Sequence, residues 1–156
     1  MCFASSKLNS SHLDQYVIES KNITWTKIGY KSSNCTGEKE YQYRILMSYL
    51  ETSESLTGLN QYKIDFTYGK SYFTPYNESG IEIGKDIDAS KTWEVNHEQE
   101  IENSNYKVGK VDYDIAAVSA DSLCLGERDD AHDKSSAENR PELISKSCLA
   151  RVAPPQ

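Results

Sequence analysis

The sequence predicts an all-β chain, an antiparallel barrel or sandwich of about seven to nine short strands, and three observations carry that expectation. The chain of 156 residues holds eleven Tyr, three Phe and two Trp but only 37% apolar residues in all. Rings of this kind suit strands whose inner face is only partly dry. Next, Tyr41, Tyr43, Ile45, Met47 and Tyr49 recur at every second position, as do Tyr62, Ile64, Phe66 and Tyr68. A period of two places each set on one face of a strand. Finally, the apolar runs Tyr113–Ala117 and Leu123–Leu125 are split by Ser119-Ala120-Asp121-Ser122, a hairpin signal near the end of the chain.

In chain order, residues 1–14 are rich in Ser and Asn and are expected to be a linker or frayed end. A β domain spans 15–152, and 153–156 form a tail. Within the domain, Tyr16-Val17-Ile18 and the set Ile23, Trp25, Lys27, Ile28 and Tyr30 flank a turn at Ser20-Lys21-Asn22. Lys31–Gly37 is a loop. The two alternating stripes follow as the clearest strands, and Tyr72-Phe73-Thr74-Pro75 ends an extended piece. Ile81, Ile83 and Ile87 fit either a short strand or an irregular helix. Trp93 and Val95 mark a buried or half-buried segment, Glu98–Asn105 is polar, and Tyr106-Lys107-Val108 leads into the hairpin. A return strand is expected within Ser147–Val152.

A net charge of −7 without a basic cluster argues against nucleic acid as a partner. No apolar run reaches the roughly 20 residues of a membrane-spanning helix, so the chain is not expected to be membrane-spanning. Catalytic signals are missing as well: there is no Gly-x-Ser-x-Gly elbow, phosphate-cradling loop or zinc-protease motif. His12 in the linker and His97 in a polar stretch read as exposed and without a role. His132 lies in Arg128-Asp129-Asp130-Ala131-His132-Asp133, which lacks the glycine of a calcium loop and reads as a mobile acidic loop. Asp112 and Asp114 share a strand face at glycosidase-like spacing, but a solvated face gives the same pattern. Asn-x-Ser/Thr sequons stand at Asn9, Asn22, Asn34 and Asn77. The chain is read as a non-enzyme, with no cofactor and no metal.

The stripes remain. Tyr41, Tyr43, Ile45 and Met47 with Tyr62, Ile64, Phe66 and Tyr68 either fill a closed core or line a cavity in which an apolar molecule lies against rings and meets Tyr hydroxyls at its polar end. Barrels of about eight strands allow both.

Four cysteines, Cys2, Cys35, Cys124 and Cys148, show neither a C-x-x-C pair nor zinc spacing, and an even count reads more readily as two disulfides than as free thiols. The start carries no signal peptide, which leaves a reduced cytosolic protein or an incomplete N-terminus. A resemblance bears on that choice. Tyr30-Lys31-Ser32-Ser33-Asn34-Cys35-Thr36-Gly37, Gly58-Leu59-Asn60-Gln61-Tyr62-Lys63-Ile64-Asp65, Thr92-Trp93-Glu94-Val95-Asn96, Leu123-Cys124-Leu125-Gly126-Glu127, Arg140-Pro141 and Ala150-Arg151 follow in order. Their order and spacing over Tyr16 to Val152 resemble a group of bacterial exported proteins, usually lipoproteins. The domain of that group is similar to the lipocalin-like β-barrel of the APC-down-regulated (Wnt-inhibitor) extracellular proteins. Members open with a Gly-x-Trp strand that has no counterpart here, so the chain is expected to start inside its own first strand.

The resemblance implies disulfides Cys2–Cys35 and Cys124–Cys148. Four free thiols, or Cys2 as a lipidated first residue, are the competing readings. It further implies a periplasmic or secreted barrel that binds a small hydrophobic molecule or lipid through the two stripes, without catalysis. The alternative is a filled barrel that contacts another envelope protein through its loops or an edge strand.

Overall fold

The computed structural model describes residues 2–5, 10–55, 60–102 and 105–150. Their elements are β1 (Cys2–Ser5), β2 (Ser10–Ile18), β3 (Asn22–Tyr30), β4 (Lys39–Ser55), β5 (Gln61–Pro75), α1 (Glu78–Ile87), β6 (Gln99–Ile101), β7 (Val111–Val118), β8 (Ser122–Leu125) and β9 (Leu149–Ala150). The strands are hydrogen-bonded in the order β1-β2-β3-β4-β5-β7-β8-β9, with β6 beside β5. The chain is all-β and barrel-like in class, as its alternating stripes predict. Its contacts divide into two compact units: residues 1–48 with 68–110, and 49–67 with 111–156.

In the first unit β2 and β3 form a hairpin whose turn is closed by the Glu19 N–H on the Asn22 carbonyl (2.8 Å), and Ile18 pairs with Ile23 beside it. The strand β1 adds antiparallel to β2, so residues 2–5 and 10–14 are sheet and not the expected linker. Serine and asparagine made this stretch look unstructured, yet strands depend on the ladder they join more than on local propensity.

Ile81, Ile83 and Ile87 ride on a true helix. The side chain of Asn77 caps it by accepting the Gly80 N–H at 2.9 Å, Glu78 stands in its first turn and Lys85 in its last. Two glycines, poor helix formers, weaken the helical signal in the sequence. They are needed for contact. A Cβ on Gly80 would lie 1.9 Å from the Glu40 carbonyl, and one on Gly84 2.9 Å from the Trp93 ring. The helix therefore presses its backbone onto β4 and Trp93. Its start is tied down by Tyr76 N–H to Glu40 O (2.8 Å) and Asn77 Nδ2 to Glu38 Oε1 (2.9 Å), and its end by Trp93 Nε1 to Asp88 O (3.1 Å). Phe73, Trp93 and Ile101 form one buried core cluster, with Tyr41, Tyr43 and the three helix isoleucines against it. Ile101 belongs to β6, a short strand inside the stretch expected to be only polar, whereas Val95 and Val108 are exposed.

In the second unit the closing hairpin stands as expected: β7 pairs with β8 around Ser119–Ser122, and Ser119 N–H donates to Ser122 O at 2.9 Å. The return strand β9 is two residues long in the described part of the chain, and Arg151 and Val152 lie outside it. Along β5 the predicted stripe is buried, at Ile64 and Phe66 in this unit and at Tyr68 where the strand passes into the first. Past Gly69 and Lys70 the buried positions of β5 change parity to Ser71 and Phe73.

Asp112 and Asp114 overturn the solvated-face reading, for they are 7% and 2% exposed. Asp114 Oδ1 accepts N–H groups from Ile115 (2.8 Å) and Gly126 (3.0 Å), and Oδ2 takes the Lys134 ammonium at 2.6 Å. Arg140 donates to the Ile64 carbonyl (3.0 Å), the Asp114 carbonyl (2.5 Å) and Asp65 Oδ1 (2.7 Å). Buried carboxylates survive because they are paired and hydrogen-bonded. Gly126 admits no side chain here, since a Cβ would lie 2.5 Å from Pro141 and 2.6 Å from Asp114 Oδ1. The short motifs Leu125-Gly126-Glu127 and Arg140-Pro141 thus meet at one packed joint.

Both disulfides form as the resemblance implies, Cys2–Cys35 in the first unit and Cys124–Cys148 in the second. No cysteine is free, which removes the free-thiol and lipidated-Cys2 readings. Two disulfides fit an oxidising compartment. No described helix is long and apolar enough to cross a membrane.

Candidate functional site

Register assembles the site. Directly opposed residues on antiparallel strands share a face, so successive rungs of the first unit align Phe3, His12, Gly29 and Tyr41; then Asp14, Lys27 and Tyr43; then Tyr16, Trp25 and Ile45. Gly29 is what lets Tyr41 lie down, because a Cβ there would come within 2.1 Å of the Tyr41 ring. Ile83 and Ile87 of α1 and Tyr106 from the segment before β7 complete the walls of two adjoining hollows.

The larger hollow, of about 380 Å³, is lined by Trp25, Lys27, Tyr41, Tyr43, Ile83, Asp86, Ile87, Asn105 and Tyr106. Its rings are set at angles to each other. Tyr106 meets Trp25 edge-on with centroids 5.3 Å apart and 84° between planes, and meets Tyr43 at 6.3 Å and 56°. Offset and edge-to-face pairs of this kind are the favoured aromatic geometries. Tyr41 stacks on Phe73 at 5.5 Å, so the wall continues into the core. Lys27 holds its ammonium 5.7 Å from the Trp25 ring centroid.

The smaller hollow, of about 270 Å³, is lined by Phe3, Ser10, Ser11, His12, Glu40, Tyr41 and Ile83. His12 is half-buried in β2 and stacks on Phe3 at 5.0 Å, not exposed in a linker as the sequence suggested. Burial first, and Lys27 second, lower its pKa, so the imidazole is neutral at pH 7. Burial and the nearby Glu40 and Asp14 raise the Tyr41 phenol, which keeps its proton. Both hollows thus offer rings, aliphatic carbons and a phenol, with the His12 imidazole and the Glu40 carboxylate in the smaller one and Lys27 and Asp86 as charges in the larger. These groups can hold an amphipathic molecule.

Of the eight stripe residues expected in a cavity wall, Tyr41 and Tyr43 line these hollows. Ile45 and Met47 are core residues, 0% and 7% exposed. Ile64, Phe66 and Tyr68 are buried, Tyr62 is half-buried, and none of the four borders either hollow. Sequence reasoning missed Trp25, Lys27, Asp86 and Tyr106 as neighbours. The alternation of Ile23, Trp25 and Lys27 carried part of the signal; the approach of Tyr106 and α1 is set by topology and has no local signature.

The acidic loop of the second unit carries hydrogen bonds. His132 Nδ1 lies 2.8 and 2.9 Å from the Asp129 carboxylate oxygens, and Nε2 3.5 Å from Glu142. The Asp129 carboxylate also accepts the Ala131 and His132 N–H groups, which closes a turn.

Set against protein-family models and against curated proteins, the chain has no match in either comparison.

Proposed function

We propose that this chain is a non-enzymatic, lipocalin-like binding protein of the periplasm or the secreted space, and that it takes a small hydrophobic or amphipathic molecule into the aromatic-walled hollow of its first unit. One observation carries the reading: strands β3 and β4, helix α1 and Tyr106 leave about 380 Å³ between them, walled by Trp25, Tyr41, Tyr43 and Tyr106. That volume falls in the range of small-molecule sites, which combine apolar walls with a few polar groups. The two disulfides support the compartment, and the order of motifs over Tyr16 to Val152 supports the kinship.

A neutral fluorophore, N-phenyl-1-naphthylamine, tests this. Saturable one-site binding is expected, weakened about fivefold to tenfold in Tyr106→Ala, on the order of 1 kcal/mol for one lost ring. Binding that never saturates, or is equal in the variant, would remove the hollow as the site. A second reading, a domain that docks a protein partner, rests on Val17 and Ile18, 58% and 51% exposed at the end of the β2–β3 hairpin. That reading would gain if the fluorophore fails while the hairpin variant Val17→Lys/Ile18→Lys loses a partner that the unaltered chain retains.

A further inference from the structure

We infer that the polar end of the molecule taken by the larger hollow is zwitterionic: an organic cation with an anion a few bonds away, the chemistry of a phosphocholine group. This rests on the binding reading above and narrows it. Trp25, Tyr43 and Tyr106 turn their rings at 84° and 56° to one another. Such a set presents electron-rich faces in more than one direction, the arrangement that attracts quaternary ammonium groups. The wall already takes a cation from its own chain, since the Lys27 ammonium stands over Trp25.

Two charges of opposite sign border the rings. Lys27 comes from the sheet, where Asp14 is its cross-strand neighbour, and Asp86 comes from the exposed side of α1. Among the described residues neither Lys27 nor Asp86 is in an ion pair within 4 Å. A purely anionic ligand would meet Asp86 uncompensated, and a purely cationic one would compete with Lys27 for the same rings. A zwitterion satisfies both, its cation against the rings and Asp86 and its anion drawing Lys27 off Trp25. Its tail then lies along Ile83 and Ile87.

Calorimetric titration of the intact, oxidised chain with four ligands of equal tail length tests this: hexylphosphocholine, hexyltrimethylammonium, hexyl phosphate and hexyl glucoside. Hexylphosphocholine is expected to bind about tenfold more tightly than hexyl glucoside, the sum of a cation–π and an ion-pair contribution. Asp86→Asn should weaken hexyltrimethylammonium by roughly threefold to fivefold and tighten hexyl phosphate, and Lys27→Gln should weaken hexyl phosphate by as much and tighten hexyltrimethylammonium. Both side chains reach solvent, and Lys27→Met serves as the second variant should Lys27→Gln fail to fold. Equal affinity for all four ligands would overturn the zwitterion and leave the hollow as a general amphiphile site. No binding of any of the four would overturn both. Co-sedimentation with phosphatidylcholine vesicles then separates sources: capture on vesicles assigns the group to a bilayer surface, and binding of hexylphosphocholine without capture assigns it to a free molecule.

Discussion

The two units of this chain are built from the same kind of antiparallel ladder yet held together by different forces. In the first, rings and glycine contacts dominate, and its ion pairs lie at the surface: Arg44 and Glu98 are 31% and 38% exposed at 2.7 Å, and Lys85 and Glu82 are 55% and 70% exposed. In the second, beside exposed pairs such as His132–Asp129, two pairs lie buried or half-buried, Lys134–Asp114 at 15% and 3% and Arg140–Asp65 at 10% and 23%. Dispersion between rings tolerates space beside it, whereas a desolvated charge demands every partner in place. A unit of the first kind can keep a hollow. One of the second kind is suited to fix a long irregular segment, here the return from Glu127 to β9, onto a sheet.

The sharpest way to break that contrast is to remove one carboxylate from each unit. Asp114→Ala leaves the Lys134 ammonium and the Gly126 and Ile115 N–H groups without their acceptor, and should cost about 3–5 kcal/mol. Glu98→Ala removes an exposed partner of Arg44 and should cost under about 1 kcal/mol. Urea midpoints at unchanged slope read both values. Equal losses would mean that the buried network stabilises no more than a surface pair.

Intermediate in size is the glycine contact of the first unit. Gly80→Ala improves helix propensity by about 1 kcal/mol, yet its Cβ would fall on the Glu40 carbonyl, a backbone atom that cannot swing aside. Overpacking of this kind costs about 1–3 kcal/mol, more when backbone must move, so a net fall in melting temperature is expected. Ile83 and Ile87 ride on the same helix, and binding of N-phenyl-1-naphthylamine should weaken with it. A melting temperature raised by Gly80→Ala would show that α1 is not pressed onto β4.

These residues also mark how far the sequence could be read. Alternation exposed β4 and much of β5, because a face buried every second residue writes its period into composition; the run Tyr113–Ala117 gave β7 in the same way. The helix was only half legible, since Gly80 and Gly84 answer to Glu40 and Trp93, residues outside the helix. Strand β1 and the first half of β2 were hidden by serines whose place is decided by the neighbouring ladder. Asp114 looked like any charge on a wet face, since its partners Lys134 and Gly126 come from beyond the hairpin. The hollow was legible through Tyr41 and Tyr43, and in part through Trp25 in its alternating strand. Its remaining ring, Tyr106, stood in a stretch with no period.

The smallest effect separates the units by sign. In the second, Asp129 as hydrogen-bond acceptor, aided by its charge and that of Glu142, raises the pKa of His132, and the His132 bond in turn lowers that of Asp129. Raised pKa means that the stabilisation is full below the ordinary imidazole range and is lost as pH rises through the folded-state value. In the first unit, burial and Lys27 lower the pKa of His12 against a weaker opposing pull from Asp14. Its contribution is present above the ordinary range and lost as pH falls through the lowered value. Proton NMR titration of the imidazole Hε1 signals should therefore place His132 above and His12 below the ordinary value of about 6.5. Asp129→Asn should bring His132 down, and Lys27→Gln should bring His12 up. Midpoints on the same side of that value would erase the difference in sign. The expected split would mean that mild acid strengthens the tied loop of the second unit while putting a charge against Phe3 in the smaller hollow of the first.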